Sequence, residues 1–520
     1  MLFKHCLILI VKDMGIFMKN SKAELSRTFL QATVSVSAIT ILGKLLGFFR
    51  EALIADYYGA TAETDAFFFA ESMPGMIFPA VGNSIYTAFI SLYAARLAQE
   101  SAEDADRYAS RMILACTLLA MGMFGVGTAL SPFLVPLFAP GFSGDQLTLA
   151  VSLTRLVMIV LVLSMLSYMF SAILNCKKRS VSTSLCGLLY SGTIIATTVL
   201  LGRGQRMETL ALVVILGHFV HTAALALCAL RCFRPAFRLM PFHRDTAQLL
   251  RLSLPVMLGS TAYQLNSITD KALSSLLPEG SLSALSYSNT LTLLVTGILF
   301  STLSYVLYPA LAADAANNEL ESYGKRVTQS LTVLCWLLIP ISLLTLLGAG
   351  DIVSAVYARG SFDQTAVSYT GAALAGYSMM FIGTGIREIL TRAFYARQDT
   401  RTPMRNTLLS IGCNIALSIL LSRYLGLVGI ALGTTISCTL ATCLLLRDTR
   451  RKLPFVRLSA FFSRLWRQFL AGAVMCAALA AFHHLVPLPS VPFWRFALDT
   501  LVGFAVYLPV SLLLGGIKCD

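Results

Sequence analysis

Charge is scarce in this chain: charged residues make up 13% of its 520 positions, about half the ~25% share usual in soluble domains. Histidine is scarcer, at 6, and the 12 cysteines include no CxxC pair and no His-rich neighbourhood. Metal or redox chemistry is therefore not indicated, and the cysteines read as small packing residues. No GxxxxGK[ST] sequence occurs, and no connection between apolar segments runs much beyond about twenty residues, which leaves no room for a nucleotide-binding module. An acid or metal constellation such as a membrane enzyme would need for polyprenyl-linked sugars is also missing. The expectation is a protein that is not an enzyme and carries no prosthetic group.

What is abundant is apolar sequence. Hydrophobic residues reach 56%, and segments of 18 or more recur along nearly the whole chain, each able to cross a hydrocarbon core of about 30 Å as a helix. The segments number about fourteen, which predicts an all-α polytopic membrane protein. Residues 1–26 form an N-terminal segment, 27–240 a first lobe of six spans, 241–450 a second lobe of six, and 451–520 a C-terminal helix pair.

The formal charge of +14 is spread over alternate connections rather than one patch, so it argues for topology and against nucleic acid. Lys177, Lys178 and Arg179, then Arg231, Arg234 and Arg238, then Arg447, Arg450, Arg451 and Lys452 fall on one side. The other side holds only Arg203, Arg206, Arg359, Arg423 and Arg495. By the positive-inside rule both termini are predicted to be cytoplasmic.

The two lobes look like repeats. TAFISLYAARLAQ from Thr87 lies over TLSYVLYPALAAD from Thr302, and the register continues to place Tyr108 over Tyr323 and Arg111 over Arg326. Earlier in each lobe, Arg50-Glu51-Ala52-Leu53 falls on Asp270-Lys271-Ala272-Leu273. With six spans between equivalent elements the repeats share one orientation, as in transporters that rock two lobes around a midplane substrate. Adjacent residues point in different directions on a helix, so Arg50 and Glu51, like Asp270 and Lys271, are not expected to satisfy each other fully. A structural reading, with these pairs locking helix packing, stands beside the cavity-lining one.

Ionisable residues inside apolar spans are functional candidates, because a bilayer penalises each by roughly 2.5 to 3.5 kcal/mol at a helix centre. Gly43 to Pro74 concentrates them: Lys44, Arg50 and Glu51 in the first span, Asp65 and Glu71 in the second. In the tenth span Arg387 and Glu388 sit one turn deeper than Arg392, where they could form a gate; Arg392 is placed to snorkel.

The stretch LGKLLGFFREALIADYYGATAETDAFFFAESMP closely resembles the opening of the MurJ (MviN) lipid II flippase family, whose pattern there is roughly SRxLGFxRDxxIAxxFGAxxxTDAFFVAxxxP. FYARQDTRTPM, from Phe394 to Met404, resembles the same family's FYxRxDxxTP segment. The fold is shared with the wider multidrug/oligosaccharidyl-lipid/polysaccharide exporter superfamily. The resemblance implies a two-lobe transporter with a cationic central cavity. It would move an undecaprenyl-pyrophosphate-linked saccharide, with lipid II foremost, across the bacterial cytoplasmic membrane by alternating access. Lys44 and Arg50 stand at the family's first two cavity arginines, with Lys271 facing them from the second lobe as a further pyrophosphate ligand. Glu51, Asp65, Glu71, Arg387 and Glu388 would couple or gate.

The chain also departs from that pattern. After Pro74 it reads GMIFPAVGNSIYTAFISLY, without the third cavity arginine and its neighbouring acid, and SYSNT leaves Thr290 where the family has another arginine. Lysine for arginine at position 44 replaces a bidentate fork by a point charge. By alignment a Na⁺ site would comprise Asp270, Asn414, Ser418 and Thr434, with Ser418 in place of a second acid; protons or the membrane potential are the other drives. The implied partners are the lipid-linked substrate and the bilayer. A monomer working beside cell-wall synthesis enzymes is expected. Flippases for capsule or exopolysaccharide units, and cation-coupled drug exporters, remain as alternatives.

Overall fold

In hydrocarbon the backbone has no hydrogen-bonding partner but itself, which makes helices the expected outcome for long apolar segments. The computed structural model describes residues 23–236, 244–486, 489 and 491–516. Every regular element among them is a helix: α1 (Ala23–Tyr58), α2 (Ala62–Gln99), α3 (Ala102–Phe138), α4 (Gly144–Val157), α5 (Val160–Cys176), α6 (Ser180–Leu201), α7 (Met207–Leu230), α8 (Arg244–Ser275), α9 (Ser281–Ala316), α10 (Leu320–Tyr357), α11 (Gln364–Ser378), α12 (Met380–Ala396), α13 (Arg401–Lys452), α14 (Leu458–Leu485) and α15 (Pro492–Leu513). Residues 1–22 of the expected N-terminal segment, and Arg238, lie outside the described residues. Nine stretches among the described residues are long and apolar enough to cross a membrane. The count of fourteen crossings stays an expectation from the sequence.

Two expected spans are interrupted helices, broken at Met158-Ile159 between α4 and α5 and at Met379 between α11 and α12. α13 instead reads through two expected spans. It turns at Gly426, whose φ of 56° and ψ of −131° are open to glycine without a steric penalty.

The repeat in the sequence returns in the backbone. α4 and α11 begin at Gly144 and Gln364, and α5 and α12 end at Cys176 and Ala396, both 220 residues apart. Each then turns through a left-handed residue, Lys178 at φ 60° and Gln398 at φ 61°. The closing bonds match, Arg179 N–H to Leu174 O at 2.8 Å and Asp399 N–H to Phe394 O at 3.0 Å. Tyr108 and Tyr323 are both buried, and Arg111 and Arg326 each reach an aspartate, Asp245 and Asp314, at 2.6 Å.

The turn at Gln398 explains the FYARQDTRTPM segment. Asp399 Oδ1 accepts from the Thr402 N–H at 3.0 Å, while Oδ2 accepts from the Thr402 hydroxyl at 2.7 Å and from Lys452 at 3.0 Å. The first turn of α13 is thereby capped. Partial desolvation works against ionisation, but these donors outweigh it and hold the Asp399 carboxyl at about 2.

One hydrophobic core is built mainly from the first half, around Phe67, Phe69, Phe89 and Tyr93; a second gathers α10, α12, α14 and α15 around Trp336, Phe381, Phe461 and Tyr507. The C-terminal pair docks on α10 through buried polar contacts. Trp336 Nε1 donates to Ser511 Oγ at 2.9 Å, and Gln468 Nε2 donates to Thr332 O at 3.1 Å and Gly516 O at 3.0 Å.

At one end of the molecule the two halves meet backbone to backbone. Asp65, 3% exposed, accepts from the Gly280 N–H at 2.8 Å, the Ser283 N–H at 2.7 Å and the Ser283 hydroxyl at 2.5 Å. A carboxylate of α2 thus caps the positive end of α9. Tyr287 donates to Gly59 O at 3.0 Å, Ser361 N–H to Asp56 O at 2.9 Å, and Gly141 N–H to Ser275 Oγ at 3.2 Å. Any side chain at Gly141 would overlap the Ser275 backbone, and one at Gly280 that of Ala60. Beneath lies an aromatic plug drawn from both halves, with Tyr287 in contact with Phe68, Tyr357 and Phe362 at ring separations of 5.1, 5.2 and 5.5 Å. At the opposite end Asp245 of α8 bridges Arg96 at 2.9 Å and Arg111.

Three outcomes are expected. Asp65→Ala strands the Gly280 and Ser283 donors at a cost of about 1 to 3 kcal/mol; an impermeant maleimide applied at this end should then label a Leu285→Cys cavity probe several-fold faster, and unchanged labelling would show that the closure does not rest on Asp65. Gln468→Leu removes two interhelical bonds worth about 1 to 2 kcal/mol in total, so the detergent-solubilised protein should melt a few degrees lower. Because the Asp399 carboxyl is depressed, its stabilisation is complete above the ordinary value of 3.8 and is lost as pH falls towards 2; Asp399→Asn should remove that part of the acid sensitivity, read as the change in unfolding midpoint with pH.

Candidate functional site

Between the halves lies a cavity of about 770 Å³. α1 and α2 bring Glu51 and Glu71 to it, α6 and α7 bring Tyr190 and His218, α8 brings Asp270 and Lys271, and α12 brings Arg387. Of the two dipeptides aligned in the sequence, Glu51, Asp270 and Lys271 therefore converge on one space, and Arg50 is tied to it through Glu51. Glu71 joins them: it lies in the field of Arg50 and Glu51 from its own half and of Lys271 from the other. Lys271 is in turn flanked by Glu71 and Asp270.

Arg50 and Glu51 satisfy each other only in part, as their adjacent positions on the helix lead one to expect. Arg50 Nη2 reaches Glu51 Oε1 at 2.5 Å, because two long side chains can curl together from adjacent positions even though their Cβ atoms diverge. The pairing is incomplete: Arg50 Nε is buried without a hydrogen-bond acceptor. The guanidinium lies 5.0 Å from the Tyr190 ring centroid, within cation–π range, and the Tyr190 and His218 rings are 4.5 Å apart. Tyr190 and His218 give little signal in the sequence, where neutral polar residues are scattered along both spans.

The wall carries both signs, with Glu51, Glu71 and Asp270 against Lys271 and Arg387, while Arg50 is bound to Glu51 outside the lining. The described cavity is therefore not the net cationic chamber that the resemblance implies. Lys44 lies at the seam of α1 and α9, its ammonium against Gly297. Asp65 is away from the cavity, in the closure described above. Arg387 and Glu388 do not act as a pair: Arg387 lines the cavity while Glu388 Oε1 binds Arg392 at 2.7 Å, one turn along the same helix.

The four residues aligned as a cation site are brought together. Asn414 Nδ2 donates to Thr434 Oγ1 at 3.0 Å and Ser437 Oγ at 3.1 Å, and the Ser418 hydroxyl reaches Asn414 Oδ1 at 3.4 Å. Asp270 lies beside Ser418, and its Oδ1 is buried with no partner. One orphaned carboxylate oxygen among amide and hydroxyl oxygens fits a hard monovalent cation better than a divalent one, which draws on more carboxylates.

The family model described as "Lipid II flippase MurJ" matches residues 54–494. A relative from Buchnera aphidicola (subsp. Acyrthosiphon pisum), named a probable lipid II flippase MurJ, is 27% identical over 88% of this chain and 91% of its own. Another, from Burkholderia cenocepacia, named lipid II flippase MurJ, is 26% identical over 86% of this chain and 89% of its own. Among solved structures, a lipid II flippase MurJ in an inward closed conformation superposes with a TM-score of 0.80 at 22% identity, covering 93% of this chain and 99% of that one. An inward-facing multidrug resistance MATE family transporter gives 0.68 at 15% identity, over 82% and 99%. With the family model spanning most of its length, this chain belongs to the lipid II flippase MurJ family.

Proposed function

We propose that this protein flips lipid II, an undecaprenyl-pyrophosphate-linked saccharide, from the inner to the outer leaflet of a bacterial cytoplasmic membrane by alternating access, with both termini cytoplasmic. The observation that carries the proposal is the inter-half cavity, closed at one end by Asp65, with Lys271 and Arg387 of the second half in its wall and Arg50 of the first half tied to the wall residue Glu51. A diphosphate leaving the headgroup region needs charge-assisted donors. Arg50 offers Nε, which has no acceptor, and Lys271 offers its ammonium from the facing half.

In this scheme Glu51 holds Arg50 while the cavity is empty, and pyrophosphate takes its place. Glu71 keeps Lys271 and Arg50 charged in a low-dielectric space. Lys44, held at the α1–α9 seam outside the cavity lining, makes no contact with the pyrophosphate in this scheme. Arg387, in the cavity wall, and Glu388, paired with Arg392, would act separately as the opposite end opens. The Asp270, Asn414, Ser418 and Thr434 set would hold Na⁺, adding positive charge beside Lys271. Outward movement of an anionic headgroup is also favoured by the membrane potential, at about 2.3 kcal/mol per charge per 100 mV.

The deciding test replaces a host's essential lipid II flippase by this chain. Growth is expected with the wild-type protein. Arg50→Ala and Lys271→Ala each remove a charged donor worth about 1.5 to 3 kcal/mol, and should slow flipping in proteoliposomes about ten- to hundredfold at equal membrane content. Failure of the well-expressed wild type to support growth, with rescue of a capsule-flippase mutant instead, would replace lipid II by a capsular precursor.

A further inference from the structure

The charged residues occupy one part of the cavity wall, and a neutral polar surface occupies another. On α8, Gln264, Asn266 and Ser267 line the cavity just before Asp270 and Lys271; on α9, Ser286, Asn289 and Thr290 do so at a spacing of three and four that places them on one face. Neither the closure at Asp65 nor the ion network uses them. Ser286 and Thr290 donate to carbonyls of their own helix, Leu282 O at 3.0 Å and Ser286 O at 3.1 Å, which leaves their oxygen lone pairs to accept. Asn289 is exposed to the cavity, whereas Asn266 Oδ1 is buried and has no hydrogen-bond partner.

A buried acceptor without a donor is costly to keep, and its chemistry narrows what the wall can take. A phosphate would set anionic oxygens against this acceptor, and the six residues supply no cation. An apolar group would leave it unsatisfied. A neutral ligand rich in O–H and N–H, with carbonyl oxygens for the amide NH₂ groups, satisfies every member. We infer that this α8–α9 wall is a saccharide subsite, in which Asn266 Oδ1 accepts from a hydroxyl or N-acyl N–H of the sugar while Asn289 binds from the facing helix.

The subsite rests on the lipid-linked saccharide function proposed above and deepens it. Asn266 precedes Lys271 by five residues on one helix, about 7.5 Å at 1.5 Å per residue, so a sugar at Asn266 and a phosphate at Lys271 are neighbours along one ligand. Specificity follows from the same physics, since a site built to hydrogen-bond a substrate group rejects the analogue lacking it.

The test compares binding of lipid II and of sugar-free undecaprenyl pyrophosphate to the full-length protein in nanodiscs. Asn266→Leu and Asn289→Ala are each expected to weaken lipid II binding about tenfold or more while leaving undecaprenyl pyrophosphate within about twofold. Asn289→Ala, at an exposed position on a different helix, keeps the test open if Asn266→Leu does not fold. Equal weakening of both lipids, unchanged lipid II binding by the folded variants, or wild-type protein that binds the two lipids equally well would overturn the subsite and leave the flippase proposal standing. Wild-type protein that binds neither lipid would overturn both.

Discussion

An ion taken from water into a protein buried in hydrocarbon loses several kcal/mol of solvation even after relaxation, and most of the central architecture answers that cost. At the closed end, Asp65 is met by two peptide N–H groups and a hydroxyl at the start of α9. In the cavity Arg50, Glu51, Glu71, Lys271 and Asp270 are interleaved in sign. Removing any member would leave another uncompensated, which couples helices from both halves through electrostatics alone. The same constraint gives an anionic cargo its means of entry, because it can take the place of a carboxylate as partner to a buried cation.

The closure at Asp65 draws on the repeat. α2 and α9 begin at Ala62 and Ser281, equivalent points in the two halves, so their N-termini approach each other at one end. Two positive helix ends brought together would repel; the Asp65 carboxylate between them turns that into attraction. The close backbone passages at Gly141 and Gly280 let these bonds form without intervening side chains. Such a seal is polar and confined to one end, so its groups can return to water when the halves separate.

Much of this arrangement was legible beforehand. The all-helical class follows from apolar length, and the alignment of Arg50-Glu51 with Asp270-Lys271 anticipated that these residues share a space. The partners were less legible. Arg50 and Glu51 were expected not to satisfy each other fully, and they share one contact while Arg50 Nε stays without an acceptor; Arg387 and Glu388 were expected to form one gate, yet Glu388 turns to Arg392. Tyr190, His218, Asn266 and Asn289 gave little local signal, since neutral polar residues in a largely apolar span read equally well as packing. The polar stripe of α9, Ser286 with Asn289 and Thr290, was the one pattern that could have revealed the neutral wall.

Membrane residence, helical class, internal repetition and family likeness are properties of composition, period and motif, which act locally or repeat along the chain, so the order of residues suffices to establish them. The register between halves is different. Which helix end Asp65 would cap, that Glu71 would lie in the field of Lys271, and that acids of the first half would share a wall with cations of the second all depend on residues more than a hundred positions apart being packed together. Those choices are made by helix packing, because only there does the cost of an unpaired charge or an unfilled hydrogen bond fall on a specific partner.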